Sequence, residues 1–417
     1  MRSTSPTAAP RHPRLPDQPD RQHRRTGKRW LAAAAATLTA GAAVAIPLLA
    51  DAHEATAPGY RQDDLHRDTD AIQALGVTGV QARVTTRPGR DLVATSGVAE
   101  AGTDRPVPRN GYFRMASTGK ALVATVVLQL VAERKLALDD TVDRWLPGLV
   151  DGNAGSRITI RQLLQHTSGI HDDDLPGYTT PQEYYERRYD TYTPQQIVAL
   201  AMRHRPDPPG TGWSYSNTGY ALLDMITEKV TDRPWHQEVE DRVLKPLGMD
   251  HTYLPGSTPA LRRPHANGYQ VFPSGERVDV TKVILPDPGG YVSTTADVNR
   301  FFQALLGGKL LPQARLAEMK DTVPVNEKIQ VFWPHGRYGL GLVNRPLSCG
   351  GSYWSHEGGD GGYITLNGAT DDGSRTVTVS MSTALGDSPD NALRQEQAAS
   401  NLVDHALCDT PGSGQNT

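Results

Sequence analysis

From Ala121 to Val131 the chain reads Ala-Leu-Val-Ala-Thr-Val-Val-Leu-Gln-Leu-Val, with no glycine or proline. Such a run has no polar face to offer water. It reads as a helix buried on all sides, around which a sizeable domain must pack. Ser117-Thr118-Gly119-Lys120 stands at its head, and Tyr112–Ala116 reads as a short extended lead-in. Spacing of i, i+3 puts Ser117 and Lys120 on one helical face, a turn apart. A serine hydroxyl is a poor nucleophile until a base lies within hydrogen-bond reach, and Lys120 is placed to be that base. The Ser117 N–H falls among the unpaired donors of a helix N-terminus, where a developing oxyanion is favoured. Alone, Ser-x-x-Lys is a weak motif, since the same residues serve as an N-cap and a surface cation.

Two later segments strengthen it. Tyr215-Ser216-Asn217 follows the turn-rich Pro206–Gly212 and precedes a helical pattern from Tyr220 to Ile226. Loops before helices commonly present catalytic side chains. A tyrosine held against Lys120 suits relay of the serine proton. Asn217, with a donor and an acceptor, suits orienting a lysine and a substrate carbonyl. The plainer alternatives are an N-cap for Asn217 and a packing role for Tyr215. The third segment, Ser352-Tyr353-Trp354-Ser355-His356-Glu357-Gly358-Gly359, begins as a strand and ends in glycines. Alternation puts His356 and Gly358 on one face, Glu357 and Gly359 on the other. Glycines let a substrate backbone approach closely, and the Gly359 N–H is the candidate second oxyanion donor beside Ser117 N–H. The plainer reading of His356 is a satisfied, partly buried histidine.

Other chemistries find little support. His356-Glu357-Gly358-Gly359-Asp360 approaches a zinc-protease pattern but lacks the second histidine, and its glycines oppose a helix. His171-Asp172-Asp173-Asp174 reads as a solvated acidic loop, so no metal is expected. There is no phosphate loop and no dinucleotide fingerprint, so no cofactor is expected either.

The 417 residues suffice for one large domain or two intimately packed ones. Residues 61–75 look helical. Val80–Thr86 and Asp91–Thr95 read as strands joined by the hairpin signal Arg87-Pro88-Gly89-Arg90. From about 117 to 285 the pattern is mainly helices and turns. Ser293-Thr294-Thr295 caps a helix running to Phe302. Thr376–Met381 is a strand after an Asp372-Gly373 turn, and 389–408 reads as a closing helix. Strands at both ends around a helical middle predict an α+β fold. Its antiparallel sheet is built from both chain ends and flanked by helices, with an inserted, mainly helical subdomain at about 117–285. The expected site is the cleft between the two parts.

Together these residues resemble the serine β-lactamase / penicillin-binding D-alanyl-D-alanine carboxypeptidase family. The branch is the one that holds class C β-lactamases, secreted carboxypeptidases, D-aminopeptidases and related esterases. Arg157–Gly169, Pro209–Ser214, Asn217–Tyr220, His265–Tyr269 and Tyr338–Leu342 look like further family landmarks, so the resemblance spans roughly residues 66–408. It implies that Ser117 is acylated and that Lys120 and Tyr215 share the base and acid work, without saying which takes the first proton. Asn217 would hold the substrate amide, and His356 would be the basic partner that is lysine in β-lactamases. Peptidoglycan stem peptides, or D-amino-acid peptides and amides, become the expected substrates, with β-lactams as inhibitors. Carboxypeptidase members carry hydroxyl residues where this chain has Glu357 and Gly359. A carboxylate lining the cleft about 5 Å from a substrate carboxylate costs roughly 3 kcal/mol at an effective dielectric near 20. If Glu357 faces the cleft, it favours an amine, amide or cationic group unless Arg345, a few residues before Cys349, offsets its charge; the alternative turns it to solvent. A D-alanyl-D-alanine carboxypeptidase-like peptidase is thus expected first. A D-amino-acid amidase, aminopeptidase or esterase is the rival, and a penicillin- or peptidoglycan-binding module with weak turnover is the alternative of another class.

Arg21, Arg24, Arg25, Lys28 and Arg29 precede an apolar run from Leu31 to Ala50, and Ala50-Asp51-Ala52 fits a small-x-small cleavage site. Residues 1–52 are therefore expected to be a signal peptide, cleaved near Ala52 to give a secreted chain. The alternative is an uncleaved membrane anchor. Residues 53–60 are expected to be a linker, 61–408 the catalytic domain and 409–417 a loose tail. Losing residues 1–52 removes eight Lys/Arg and three Asp/Glu and moves the net charge from −3 to −8. That leaves no basic patch to suggest nucleic acid. Cys349 and Cys408, the only cysteines, are expected to form a disulfide in an exported chain, with two buried thiols as the alternative.

Overall fold

The strand Gly79–Thr86 (β1) shows why the sheet lies where it does. Its Val80, Ala82 and Val84 belong to one apolar cluster, while Gln81, Arg83 and Thr85 point the other way. In the computed structural model, which describes residues 59–409 apart from 88, 151–153, 173–174, 176–177 and 286–289, both faces of this strand are covered. The helices Gln62–Ala74 (α1) and Pro389–Cys408 pack on the apolar face through Leu65, Ile72, Leu402, Val403 and Ala406. On the polar face, the helix Thr295–Leu306 binds the sheet by hydrogen bonds. Asn299 Nδ2 donates to Arg83 O at 3.1 Å, and Thr378 Oγ1 donates to Asn299 Oδ1 at 2.7 Å.

The remaining strands of this sheet are Arg90–Gly97 (β2), Val323–Pro324 (β3), Arg337–Tyr338 (β4), Val343–Pro346 (β5), Ser352–Ser355 (β6), Gly358–Asp360 (β7), Tyr363–Ala369 (β8) and Arg375–Met381 (β9). The order is β2-β1-β9-β8-β6-β5-β4-β3, and β7 pairs with β8 only. The strand pairings within it are antiparallel, with Val80 opposite Met381, so the two ends of the described chain meet in the middle of the sheet. The expected antiparallel sheet built from both termini is therefore the observed one.

The buried apolar run forms the helix Lys120–Ala132 (α2), in which only Gln129 and Ala132 escape full burial. Burying each of Leu122, Leu128 and Leu130 contributes about 1.5–3 kcal/mol. The helix is the axis of the second core, with Asn217–Thr231 (α3) packed against it. Thr295–Leu306 follows as α4 and Pro389–Cys408 as α5. Tyr269–Val271 and Arg277–Asp279 are strands inside the span expected to be mainly helical. They pair with each other, and Tyr269–Val271 also pairs with Thr383–Leu385. Tyr60, expected in a linker, is buried, and its N–H donates to Asp409 Oδ1 at 2.9 Å. The disulfide Cys349–Cys408 is formed. The expected signal segment, most of the linker and the tail from 410 lie outside the described residues. Among the described residues, no helix is long and apolar enough to cross a membrane.

Candidate active site

Ser117 sits in a 3-10 turn, Ala116–Gly119, that runs directly into α2. The expectation that it opens the helix is thus refined by one tight turn. Ala116, just before it, has φ +45°, a left-handed conformation that costs an alanine of order 1 kcal/mol. The bend leaves Ser117 partly exposed while Lys120 is buried beneath it. Lys120 Nζ lies 3.0 Å from Ser117 Oγ and donates to Asn217 Oδ1 at 2.7 Å. Three residues from two distant segments therefore converge as expected from their motifs.

Asn217 is the first residue of α3, and Ser216, not Asn217, is the N-cap, its Oγ accepting from Gly219 N–H. The Asn217 amide orientation follows from its partners. Oδ1 faces Lys120, and Nδ2 donates to Asp172 Oδ2 at 3.3 Å. One amide hydrogen remains for a substrate carbonyl. Asp172 also accepts from Asn217 N–H at 2.6 Å, a carboxylate at a helix N-terminus. The Tyr215 ring lies 5.0 Å from Lys120 Nζ, and its buried hydroxyl has no hydrogen-bond partner among the described residues. Buried hydroxyls are seldom left so, and this one stands beside the candidate base.

The third motif departs from its expectations in two ways. The strand is interrupted at His356 and Glu357, between β6 and β7, so simple alternation does not govern them. His356 is not a cationic partner. Burial and the charge of Lys120 push its imidazole down to about 3, which leaves it neutral. Its Nε2 lies 2.9 Å from Tyr338 OH and its Nδ1 lies 2.9 Å from Glu357 O. Glu357 is neither a free carboxylate lining the cleft nor turned to solvent. Oε1 meets Arg345 Nη1 at 2.6 Å, and Oε2 accepts from Trp333 Nε1 at 2.6 Å. Gly359 is exposed and Gly358 buried. A Cβ on Gly358 would collide with Met115 O and come within 3.0 Å of Thr118 N, so only glycine lets β7 run this close to the nucleophile turn. Thr118 Oγ1 ties the two together by donating to His356 O at 2.9 Å.

Sequence reasoning passed over His166, Tyr338 and Asn367. Tyr338 OH lies 3.1 Å from His166 Nε2, and Asn367 clamps the His356 backbone from both sides, at 3.1 and 2.6 Å. His166 and Tyr338 lie in the segments Arg157–Gly169 and Tyr338–Leu342, which resemble family landmarks, but neither residue is given a role there. Among the described residues, no group of His, Cys, Asp and Glu could hold a metal ion.

The arrangement suits acyl transfer, with a nucleophile, a lysine in contact with it, a tyrosine hydroxyl held in reserve and an amide donor. The comparisons agree with that chemistry. Penicillin-binding protein 4* of Bacillus subtilis (strain 168) is 30% identical over 289 residues, 65% of this chain, and the chain spans only 60% of that relative's length. Among solved structures, a D-stereospecific amidohydrolase from Streptomyces sp. is 36% identical, with 81% of this chain and 98% of that chain covered and a TM-score of 0.72. The D-amino acid amidase from Ochrobactrum anthropi SV3, complexed with L-phenylalanine, is 26% identical, with 83% and 96% covered and a TM-score of 0.70. The Beta-lactamase family profile matches residues 65–402. With residues 65–402 matched, the chain belongs to the Beta-lactamase family.

Proposed function

We propose that the protein hydrolyses amide bonds next to D-configured residues through an acyl-enzyme on Ser117, with an amine or ammonia as the leaving group. Ser117 Oγ attacks the carbonyl carbon, and its proton passes to the Lys120–Tyr215 pair. The N–H groups of Ser117 and Gly359 receive the oxyanion. The C–N bond breaks as the same pair returns the proton to the departing nitrogen, and water then cleaves the ester. Lys120 and Tyr215 titrate as one unit in this scheme.

The observation that carries the uncharged leaving group is the third motif. His356 is neutral, Glu357 is matched by Arg345, and position 359 has no hydroxyl. Nothing in that motif offers net positive charge to a substrate carboxylate. The similarity to the D-stereospecific amidohydrolase and the D-amino acid amidase supports the same reading. The carboxypeptidase reading is the second one, favoured by the similarity to penicillin-binding protein 4*, and β-lactams are proposed inhibitors under either. The Arg-rich, then apolar N-terminus supports action outside the cytoplasm, on peptidoglycan stems or on D-amino-acid peptides.

The test compares ammonia release from D-amino-acid amides with D-alanine release from an acylated peptide ending in D-Ala-D-Ala, using a Ser117→Ala control. Amide turnover that disappears in the control supports the proposal. D-alanine release at a higher kcat/KM than amide turnover replaces it with the carboxypeptidase. Penicillin labelling of Ser117 without either turnover leaves a binding module.

A further inference from the structure

Two histidines and a tyrosine form a chain of hydrogen bonds behind the candidate nucleophile, and the two ends of the chain fix every proton in it. At one end, Ser216 N–H points at His166 Nδ1 from 3.2 Å. A backbone N–H only donates, so Nδ1 must accept, and in a neutral ring the proton sits on Nε2. At the other end, His356 Nδ1 lies 2.9 Å from the carbonyl oxygen of Glu357. A carbonyl only accepts, so His356 carries its proton on Nδ1 and its Nε2 must accept. Tyr338 OH stands between the two Nε2 atoms, 3.1 Å from His166 and 2.9 Å from His356. Tyr338 also meets Tyr220, whose own hydroxyl donates to Leu164 O at 3.1 Å, and one arrangement leaves no ring nitrogen of the two histidines unmatched. His166 donates to Tyr338, Tyr338 donates to His356, and His356 donates to Glu357 O.

Three further observations give this chain a purpose. His166 is held at φ +59°, a conformation a histidine adopts rarely, and such outliers cluster at functional sites. Its ring also stacks 4.4 Å from that of Tyr215, so it supports the loop that carries Tyr215, Ser216 and Asn217. All three chain members are essentially inaccessible to water, and burial keeps both imidazoles neutral and the phenol protonated.

We propose that Tyr338 is a positioning residue for the reaction at Ser117. It locks one proton arrangement across the second and third motifs, and through the His356 Nδ1–H bond to Glu357 O it holds the kink from which Gly358 and Gly359 run past the nucleophile turn. The His356 ring is then a spacer whose two nitrogens are both spoken for, rather than a proton donor to substrate. The kinetic arm of the test rests on the serine acyl-transfer reading; the proton arrangement does not.

Histidine-selective 15N labelling of the full chain, with each signal assigned by single His substitution, reads the arrangement directly. The expected spectrum has His166 protonated at Nε2 and His356 at Nδ1, both neutral. A His356 proton on Nε2, or on both nitrogens, overturns the proposal. In Tyr338→Phe, the His356 Nε2 signal is expected to shift, because that nitrogen loses its donor while Glu357 O still holds the proton on Nδ1. Acylation of Ser117, followed by amide turnover or by β-lactam labelling, is expected to slow roughly tenfold or more, with KM changed by less than about threefold. A Tyr338→Phe chain that keeps the wild-type His356 Nε2 shift and acylates within about twofold of the wild-type rate overturns the positioning role. If that variant does not fold, the wild-type spectrum alone decides.

Discussion

The Ser117–Lys120–Tyr215–Asn217 group and the His166–Tyr338–His356 chain are neighbours with opposite bonding states. The first leaves polar valence open. Ser117 is partly exposed, the Tyr215 hydroxyl has no partner among the described residues and Asn217 keeps a spare amide hydrogen. The second leaves none open, because each ring nitrogen and the Tyr338 hydroxyl is matched. The difference separates groups that meet substrate from groups that hold them still. An unsatisfied buried polar atom is tolerated where a reacting molecule will satisfy it, whereas a scaffold is rigid only when fully bonded.

The sharpest way to break this division is Ser117→Ala. Turnover should fall by roughly 10⁴-fold, with the melting temperature nearly unchanged, because the nucleophile contributes chemistry and little packing. A large residual rate would move the nucleophile elsewhere. On the holding side, Arg345→Met strands the Glu357 and Glu396 carboxylates, which now share its guanidinium at 2.6 and 3.3 Å. Urea denaturation should show a loss of about 3–5 kcal/mol, as for breaking a buried ion pair. A loss under about 1 kcal/mol would mean that Glu357 reaches water once released.

Tyr215→Phe probes the open side with opposite signs in two measurements. Removing a general acid–base hydroxyl should lower kcat by about 10²-fold. Removing an unsatisfied buried hydroxyl should leave stability equal or raise it by up to about 1 kcal/mol. A fall in stability would show that the hydroxyl is bonded after all. Glu396→Gln should give the smallest change, visible mainly in its pH dependence. Burial, then the nearby Glu357 charge, pushes the Glu396 carboxyl well above the usual carboxylate range. The folded chain therefore keeps a proton that the unfolded chain has already released, and wild-type stability falls as pH rises above that range. The glutamine variant should lose that slope, so its urea midpoint should gain on the wild type between pH 5 and 8. Parallel curves would contradict the shift.

The same two regions differ in how far they could be read from sequence. Ser117 and Lys120 are neighbours on one turn, and Asn217 stands at a loop-to-helix junction, so local spacing made them candidates and the three segments together singled them out. The terminal helices and the strands around 80–97 and 376–381 were likewise legible, because each carries its own periodicity. His166, Tyr338 and His356 come from three segments, and none carries a pattern that points to the others. Their pairing depends on the sheet placing β4 beside the second-motif loop. Arg345 could be named as a counter-charge to Glu357 but not placed, for a related reason. Strand alternation assumes an unbroken strand, and the chain kinks at Glu357. The strands at 269–279 were missed because they are three residues long and rely on a partner more than a hundred residues away.

The pairing of Val80 with Met381 also has a consequence for how the molecule is made. The β1–β2 hairpin leaves the ribosome long before the strand that covers one of its edges, which lies far downstream in the chain. Until β9 and α5 arrive, Val80, Ala82 and Val84 have only α1 to shield them, and an unpaired strand edge stays open. Completion of the sheet is therefore a late, long-range event. A chain that stops short of residue 375 would expose a sticky half-sheet rather than a smaller version of the fold, and holding that intermediate apart from its copies becomes a task for the cell's chaperones.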